Sequence, residues 1–153
     1  MIYMDEMFPI IDMEVEEEED VEEEETLQST TIGRTPLFDF ETGRYEIKDG
    51  KIIECTQEEA VRQWVGFLVK TLAGKYRVYD DTNFGTYIEN YIGSKNKGFV
   101  ISEIKRELEE KAEDNRAIEE ITDVEGTVEG DKLIISLTIV MTDETEVEVE
   151  VDV

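Results

Sequence analysis

The stretch "DKLIISLTIVMTDETEVEVEVDV", residues 131–153, decides the fold. Every second position of its first half is apolar, at Leu133, Ile135, Leu137 and Ile139. In its second half valine alternates with acidic residues up to Val153. A period of two is typical of a β-strand with one buried face, and Thr142-Asp143-Glu144 supplies a turn between the halves. The stretch therefore predicts two antiparallel strands.

The segment before these strands changes from a helical period to a strand period. "GFVISEIKRELEEKAEDN", residues 98–115, places Ile101, Ile104 and Leu108 on one stripe, which predicts a helix whose charged run is a solvated face. "AIEEITDVEGTVEG", residues 117–130, predicts an irregular strand. Further upstream, "NFGTYIENYIG", residues 83–93, predicts a short helix that Gly93 closes.

The clearest helix signal lies in "TQEEAVRQWVGFLVKTLAG", residues 56–74. Thr56 is an N-cap candidate, and Glu59 three residues later completes a capping box. Apolar residues recur at helical spacing, at Val61, Trp64, Val65, Leu68 and Leu72. We expect Gly74 to end this helix and Trp64 to anchor the core.

A hairpin precedes this helix. In "RYEIKDGKIIEC", residues 44–55, Asp49-Gly50 supplies the positive φ values of a two-residue turn. The order of a hairpin, helices and antiparallel strands predicts an α+β fold. In it, two to three helices pack on one face of a small antiparallel sheet. At 153 residues the chain predicts one domain, which we place at residues 31–153.

The first 30 residues are predicted to form an acidic N-terminal arm, either disordered or extended. Residues 1–27 hold thirteen acids and no base, so this segment cannot condense against itself. The leader "MIYMDEMFPII" is more apolar than a solvated tail. Two interpretations stay open: chance hydrophobic residues in a disordered start, or a linear motif that docks on a neighbour. In the second, the docking residues are Tyr3, Met7, Phe8 and Ile10.

Charge and composition exclude several classes of partner and chemistry. A net charge of −26 repels nucleic acid and anionic membranes. With no histidine and one cysteine, the usual zinc sites, histidine-dependent triads and an internal disulfide are excluded. No apolar run approaches a membrane span and the N-terminus lacks the positive charge of a signal peptide, so we expect a chain that is cytosolic when made.

Candidate catalytic and metal motifs fail on spacing. Asp80 and Asp81 are adjacent, whereas a glycosidase pair must face each other across a substrate. A calcium loop starting at Asp80 would place Phe84 at its fifth position and Tyr91 at its twelfth, where oxygen ligands are required. No phosphate loop is present, and Cys55 is expected to be a small core residue. We therefore predict no catalytic residue, cofactor or metal.

Residues 60–93, "AVRQWVGFLVKTLAGKYRVYDDTNFGTYIENYIG", carry a resemblance to a known family. The order of amphipathic helix, Thr71, Arg77 and Phe84-Gly85 resembles the baseplate wedge or sheath-initiator proteins of contractile phage tails. It is most similar to the branch of Gram-positive prophages and phage-tail-like bacteriocins, a family once called lysozyme-like. The resemblance extends over residues 33–153 and excludes the acidic arm.

The resemblance implies a docking loop at residues 74–85. Many family members carry a Glu-Pro-Arg tripeptide that contacts a helical bundle of other wedge proteins. Arg77 occupies the arginine position here, whereas the glutamate and proline are missing. The predicted docking residues are Lys75, Tyr76, Arg77, Tyr79 and Phe84, because an arginine fork between aromatic side chains suits an interface. The alternative is an internal ion pair of Arg77 with Asp80 or Asp81, with the tyrosines packed on the domain's own helix.

The resemblance also implies strand exchange at the C-terminus. An unpaired strand edge accepts or donates strands between chains, and the family's sheath subunits are linked in this way. The predicted strand-exchange residues are Val147, Val149, Val151 and Val153. The alternative is an ordinary last strand whose glutamates face solvent.

We accordingly predict a structural protein without enzymatic activity. It would join the baseplate wedge to the tail tube or hub and initiate sheath assembly, with other wedge proteins, the sheath protein and tube or hub proteins as partners. Assembly would take place in the bacterial cytoplasm, followed by residence in a virion or a released tail-like particle. The alternative function is an acidic interaction module that mimics DNA or sequesters a basic protein.

Overall fold

The structure is a computed structural model that describes residues 32–94, 96–129 and 131–153. The elements follow the order of two short hairpins, helix α1, two 3₁₀ segments, helix α2 and a three-stranded antiparallel sheet. This confirms the α+β fold class. The predicted arm and its docking residues Tyr3, Met7, Phe8 and Ile10 lie outside the described residues.

The C-terminal sheet consists of β5 (Ile118–Glu129), β6 (Lys132–Met141) and β7 (Glu146–Asp152), in the spatial order β5-β6-β7. Both strand pairs are antiparallel. The inward face of β6 is buried as predicted, at Leu133, Ile135, Leu137, Ile139 and Met141. β5 has register shifts after Ile118 and Thr122, which agree with the predicted irregular strand.

Helix α1 spans Gln57–Lys70 and lies against β7. The predicted capping box is confirmed, since Thr56 accepts from the Glu59 amide and the Glu59 carboxylate accepts from the Thr56 amide. The predicted end at Gly74 is wrong. The helix stops at Lys70 because Thr71 is extended, with ψ of 114°, and the next residue, Leu72, forms a bridge to Thr86. Gly74, with φ of 73°, serves the turn beyond it.

Helix α2 spans Lys97–Ala112, and the Asn96 side chain accepts from the amide of Phe99 at its start. Val100, Ile104 and Leu108 pack into the core against the sheet. The charged run of this helix is not solvated throughout, because Glu107 is only 6% exposed. The predicted short helix before α2 is a 3₁₀ segment, Ile88–Tyr91, and a second 3₁₀ segment spans Arg77–Tyr79.

Two small hairpins form the N-terminal part of the described chain. β1 (Phe38–Asp39) pairs with β2 (Arg44–Tyr45), and β3 (Ile47–Lys48) pairs with β4 (Lys51–Ile52). The Asp49-Gly50 turn is confirmed by φ values of 52° and 74°. No helix of the described residues is long and apolar enough to cross a membrane.

Candidate docking surfaces

The segment between α1 and the second 3₁₀ segment is a loop closed at its neck. The amide of Thr86 donates to Thr71 O at 2.8 Å, and the amide of Ala73 donates to Thr86 O at 2.9 Å. Gly85 has φ of 100°, and a Cβ there would lie 3.0 Å from Thr71 O. Only glycine fits this position without strain. The neck therefore fixes where the predicted docking loop, residues 74–85, leaves the body.

Arg77 lies at the exposed tip of the docking loop. It begins the 3₁₀ segment, in which the amide of Asp80 donates to Arg77 O at 3.3 Å. Among the described residues, neither Asp80 nor Asp81 forms an ion pair with its guanidinium. The alternative of an internal ion pair is thus absent from this part of the chain. The guanidinium is available to a partner.

The other predicted docking residues divide into two groups. Lys75 and Tyr76 are exposed, and the Lys75 ammonium lies 5.6 Å from the centre of the Tyr76 ring. Tyr79 and Phe84 are half-buried, with ring centres 5.0 Å apart, and Phe84 also packs on Trp64. The second group holds the loop against α1. Tyr79 and Phe84 therefore stabilise the loop and contribute little to its exposed surface.

Sequence reasoning missed Val78, which is 77% exposed and lies between Arg77 and Tyr79. Single exposed apolar residues are common on protein surfaces, so Val78 bears on docking only through its place beside Arg77. The sequence did offer one signal for the exposure of Val78, because this residue lies in a polar loop without the apolar spacing of a strand or a helix.

Sequence reasoning also missed Glu107, which ties α2 to the end of the docking loop. Its Oε1 accepts from the amide of Tyr87 at 2.7 Å. Its Oε2 is buried and has no hydrogen-bond partner among the described residues. Burial raises the pKa of Glu107, and the Tyr87 hydrogen bond opposes this rise. Only the folded chain reveals this contact, because nothing local marks Glu107 among the neighbouring glutamates.

Strand β7 turns its valines inward and its acids outward. Val147, Val149 and Val151 are at most 5% exposed, whereas the alternate acids face solvent. On the outer face of the sheet, these acids flank the central strand on one side and acids of β5 flank it on the other. We call this set the outer carboxylate face: Glu120, Glu125, Glu129, Glu146, Glu148, Glu150 and Asp152.

The free edge of β7 is formed by the backbone of its acidic residues. Val153 and Leu133 exchange two backbone hydrogen bonds, at 2.9 and 3.0 Å, so the valines of β7 bond to β6. By the alternation of an antiparallel ladder, the backbone groups of Glu146, Glu148, Glu150 and Asp152 point away from β6. Of the predicted strand-exchange valines, Val147, Val149 and Val151 are thus core residues and Val153 is half-buried, and the edge itself belongs to their acidic neighbours.

Two cations of α1 hold this edge. Arg62 Nε donates to Glu148 O at 3.2 Å, and Lys70 Nζ donates to Asp152 O at 2.9 Å. Residues eight apart on a helix rise about 12 Å, close to the roughly 13 Å between residues four apart on a strand. The match lets one face of α1 reach two carbonyls of β7.

A groove with a volume of about 390 Å³ lies between helix α1 and the edge of strand β7. Phe38, Phe40 and Gly66 contribute to its walls, and Val149–Asp152 runs along one side. The ring of Phe40 packs directly on Gly66, where a Cβ would lie 2.7 Å from a ring carbon. An apolar wall thus runs beside the polar edge of β7.

The described residues offer no arrangement suited to metal binding, since they contain no cluster of three or more potential ligands. Burial raises the pKa of the Cys55 thiol, and the charge of Glu59 raises it further. A raised pKa leaves less of the reactive thiolate at neutral pH. Cys55 is half-buried and lies outside the core cluster, so its predicted place as a core residue is wrong.

Comparison with known proteins gives one family. A family model described as contractile injection system sheath initiator matches residues 34–145. The matched range contains α1, the docking loop, α2, β5 and β6, and it ends just before β7. No curated protein matches the chain.

Proposed function

Because this chain belongs to the contractile injection system sheath initiator family, we propose that it couples a baseplate to the first sheath subunits through two surfaces. The docking loop binds other wedge proteins and the tube or hub. The free edge of β7 receives a strand from the sheath protein. The role is structural and involves no catalysis. Assembly takes place in the bacterial cytoplasm, and the protein then stays in the tail particle.

The observation that carries the proposal is the support given to an otherwise exposed cationic tip. The neck at Gly85, the Phe84 ring and the Glu107 carboxylate all fix the base of the loop. Arg77 and Val78 at its tip are exposed, and Arg77 forms no ion pair among the described residues. A guanidinium beside exposed apolar area has the composition of an interface hot spot.

The structure of β7 favours a strand acceptor over a strand donor. Donating β7 would remove Val147, Val149 and Val151 from the core, and exposing buried valines is costly at about 1.5–3 kcal/mol each. Accepting a strand leaves those valines in place and uses only the outward backbone groups. Arg62 and Lys70 would have to release the Glu148 and Asp152 carbonyls for a full ladder to form.

The docking loop is tested with Arg77→Ala in the full chain. We expect the isolated variant to unfold like the wild type, because Arg77 is exposed, and its incorporation into tail particles to fall by about tenfold or more. Arg116→Ala is the matched control, since Arg116 is also exposed and forms no ion pair among the described residues. Equal incorporation of both variants would refute the docking role.

The β7 edge is tested by comparing Glu148→Pro with Glu148→Ala. Both variants remove the carboxylate, but only proline removes the outward amide, and an edge strand tolerates proline at such a position. We expect the proline variant to enter baseplates without nucleating sheath, as judged by electron microscopy of assembled particles. The alanine variant should nucleate normally. Normal sheaths on the proline variant would rule out strand addition at this edge.

The outer carboxylate face favours a second candidate function, an acidic module that mimics DNA or sequesters a basic protein. Replacing Glu120, Glu125 and Glu129 with glutamine separates the two candidates, because it removes charge from this face without altering the docking loop or the β7 edge. A mimic should lose its basic partner, which pull-down would show. A sheath initiator should still assemble.

A further inference from the structure

The hairpin β3–β4 presents an apolar face that no described residue covers. Ile47 and Ile52 are cross-strand partners and are 67% and 59% exposed, and nearby Tyr45 is 51% exposed. Its hydrogen bonds to the body run through its base, where the amide of Glu46 donates to Leu37 O and the amide of Leu37 donates to Ile53 O. A two-stranded hairpin is marginal in water unless it packs against something. The exposed face is therefore a candidate contact surface.

The opposite face of the same hairpin carries uncompensated positive charge. Lys48 and Lys51 lie directly across from each other, and like charges in such a pair destabilise the strands. Neither ammonium has a carboxylate within 4 Å among the described residues. The hairpin thus suits a partner segment that is both apolar and acidic.

The described chain begins beside the base of this hairpin. The amide of Ile32 donates to Gln57 Oε1 at 2.9 Å, and Gln57 Nε2 donates back to Ile32 O at 2.8 Å. The amide of Cys55 then donates to Thr35 O at 2.8 Å, and Pro36 bridges Glu54. Residues 1–31 therefore join the body next to the segment that leaves β4.

Those preceding residues have the composition that the hairpin requires. The leader at residues 2–11 is apolar, and residues 14–25 consist almost entirely of acids. About 20 residues separate the leader from Ile32; a flexible neutral chain of that length would span about 25 Å, and charge repulsion extends an acidic one further. Such a tether gives an effective concentration in the millimolar range for a site near its anchor.

We propose that residues 2–11 dock on the Ile47 and Ile52 face of their own chain, while the following acids pass Lys48 and Lys51. The arm is then an intramolecular cover for the hairpin. This contact is separate from the docking loop and from the β7 edge, so it stands or falls independently of the assembly role.

The test is hydrogen exchange of the full chain, comparing the wild type with Tyr3→Ser/Phe8→Ser. These substitutions leave residues 32–153 unchanged, so loss of fold is not an expected complication. We expect the amides of residues 45–53 to exchange about threefold or more faster in the variant, since docking at millimolar effective concentration protects them only partly. A control variant, Val78→Ser, changes an exposed apolar residue of the docking loop and should leave these amides unaffected.

Charge reversal on the hairpin provides an independent test of the same proposal. Lys48→Glu/Lys51→Glu should reproduce the faster exchange of residues 45–53, and added salt should weaken protection in the wild type. Three outcomes would overturn the proposal. The first is unchanged exchange in the leader variant, and the second is protection that appears only at high protein concentration, which would assign the face to a second copy. The third is leader-dependent protection at the apolar cavity beside Gly126 and Val128.

Discussion

The hairpins β3–β4 and β6–β7 are built on the same local pattern and reach opposite outcomes. Both are antiparallel pairs with apolar residues facing each other across the strands. In β6–β7 the pair Ile139 and Val147 is at most 2% exposed, whereas in β3–β4 the pair Ile47 and Ile52 is more than half exposed. The difference lies in the helices, because α1 and α2 pack on the C-terminal sheet and leave the N-terminal hairpin open.

This contrast separates apolar residues that stabilise the fold from apolar residues that are exposed on its surface. An apolar residue in β6–β7 stabilises the fold by leaving water, since burial of apolar area is the main favourable term in folding. An equivalent residue in β3–β4 has most of its area still to bury. The identical amino acid thus contributes to stability in one hairpin and stays largely exposed in the other, where the proposed contact would bury it.

The strongest test applies one substitution to both hairpins. Ile139→Ala should reduce the free energy of unfolding by about 2–5 kcal/mol, because it removes a fully buried side chain and leaves a cavity. Ile47→Ala should change it by less than about 0.5 kcal/mol. Urea denaturation followed by circular dichroism measures both. Similar losses in the two variants would mean that the N-terminal hairpin is part of the stable core.

Two glycines with positive φ sharpen the same contrast at the backbone. Gly85→Ala should destabilise the chain by about 2–3 kcal/mol, because a Cβ would press on Thr71 O in an already strained conformation. Gly50→Ala at the tip of β3–β4 meets open space and should cost about 1 kcal/mol, from backbone strain alone. Thermal melts of both variants provide the comparison. A larger loss of stability in Gly50→Ala than in Gly85→Ala would mean that the hairpin turn contributes more to the stability of the fold than the neck does.

Glu107 offers a pH-dependent test of the body. Because the folded pKa of Glu107 is raised above its usual 4.5, its ionised form weakens the fold, and that loss develops as pH rises through the folded pKa. Glu107→Gln keeps an acceptor for the Tyr87 amide and carries no charge. We expect the variant to be more stable than the wild type by about 1 kcal/mol at pH 7 and equal to it below pH 4. Glu109→Gln, on the exposed side of α2, is the control.

Asp152 gives the smallest effect and the opposite sign. Hydrogen bonds from Lys70 and then Lys132 lower its pKa from 3.8 to about 2. The ionised form therefore stabilises the fold above pH 3.8, and this contribution is lost as pH falls through about 2. Asp152→Asn should cost less than about 1 kcal/mol at pH 7, because the group is exposed and screened by solvent. Denaturation at low and high salt measures it, and a salt-independent loss would exclude the ion pairs as its cause.

The features predicted correctly from sequence are those encoded within a few residues. The Thr56 and Glu59 capping box and the Asp49-Gly50 turn depend on contacts three residues apart or fewer. The alternation at Leu133–Ile139 directly specifies which face is buried, because strand side chains alternate. The exposed position of Arg77 also agrees with the prediction, although its role in docking remains a prediction.

The features that sequence reasoning missed depend on contacts between distant residues. Helix α1 ends at Lys70 because Leu72 bridges Thr86, which no local signal announces. Glu107 is buried because Tyr87 presents an amide to it, although its neighbours Arg106 and Glu110 are exposed. The edge cations Arg62 and Lys70 require the relative placement of α1 and β7. None of these partners is fixed until the chain has folded.

The outer carboxylate face also determines how copies of this protein treat one another. If two such sheets met face to face, the acidic rows of β5 and β7 would repel those of the other copy, because Lys132 is the one cation among the outward residues that the strand register pairs. Repulsion of this kind discriminates between partners by penalising the wrong one. At high concentration and low salt, these subunits would thus stay monomeric at this face. Contacts with cationic partners would be favoured over contacts between two copies.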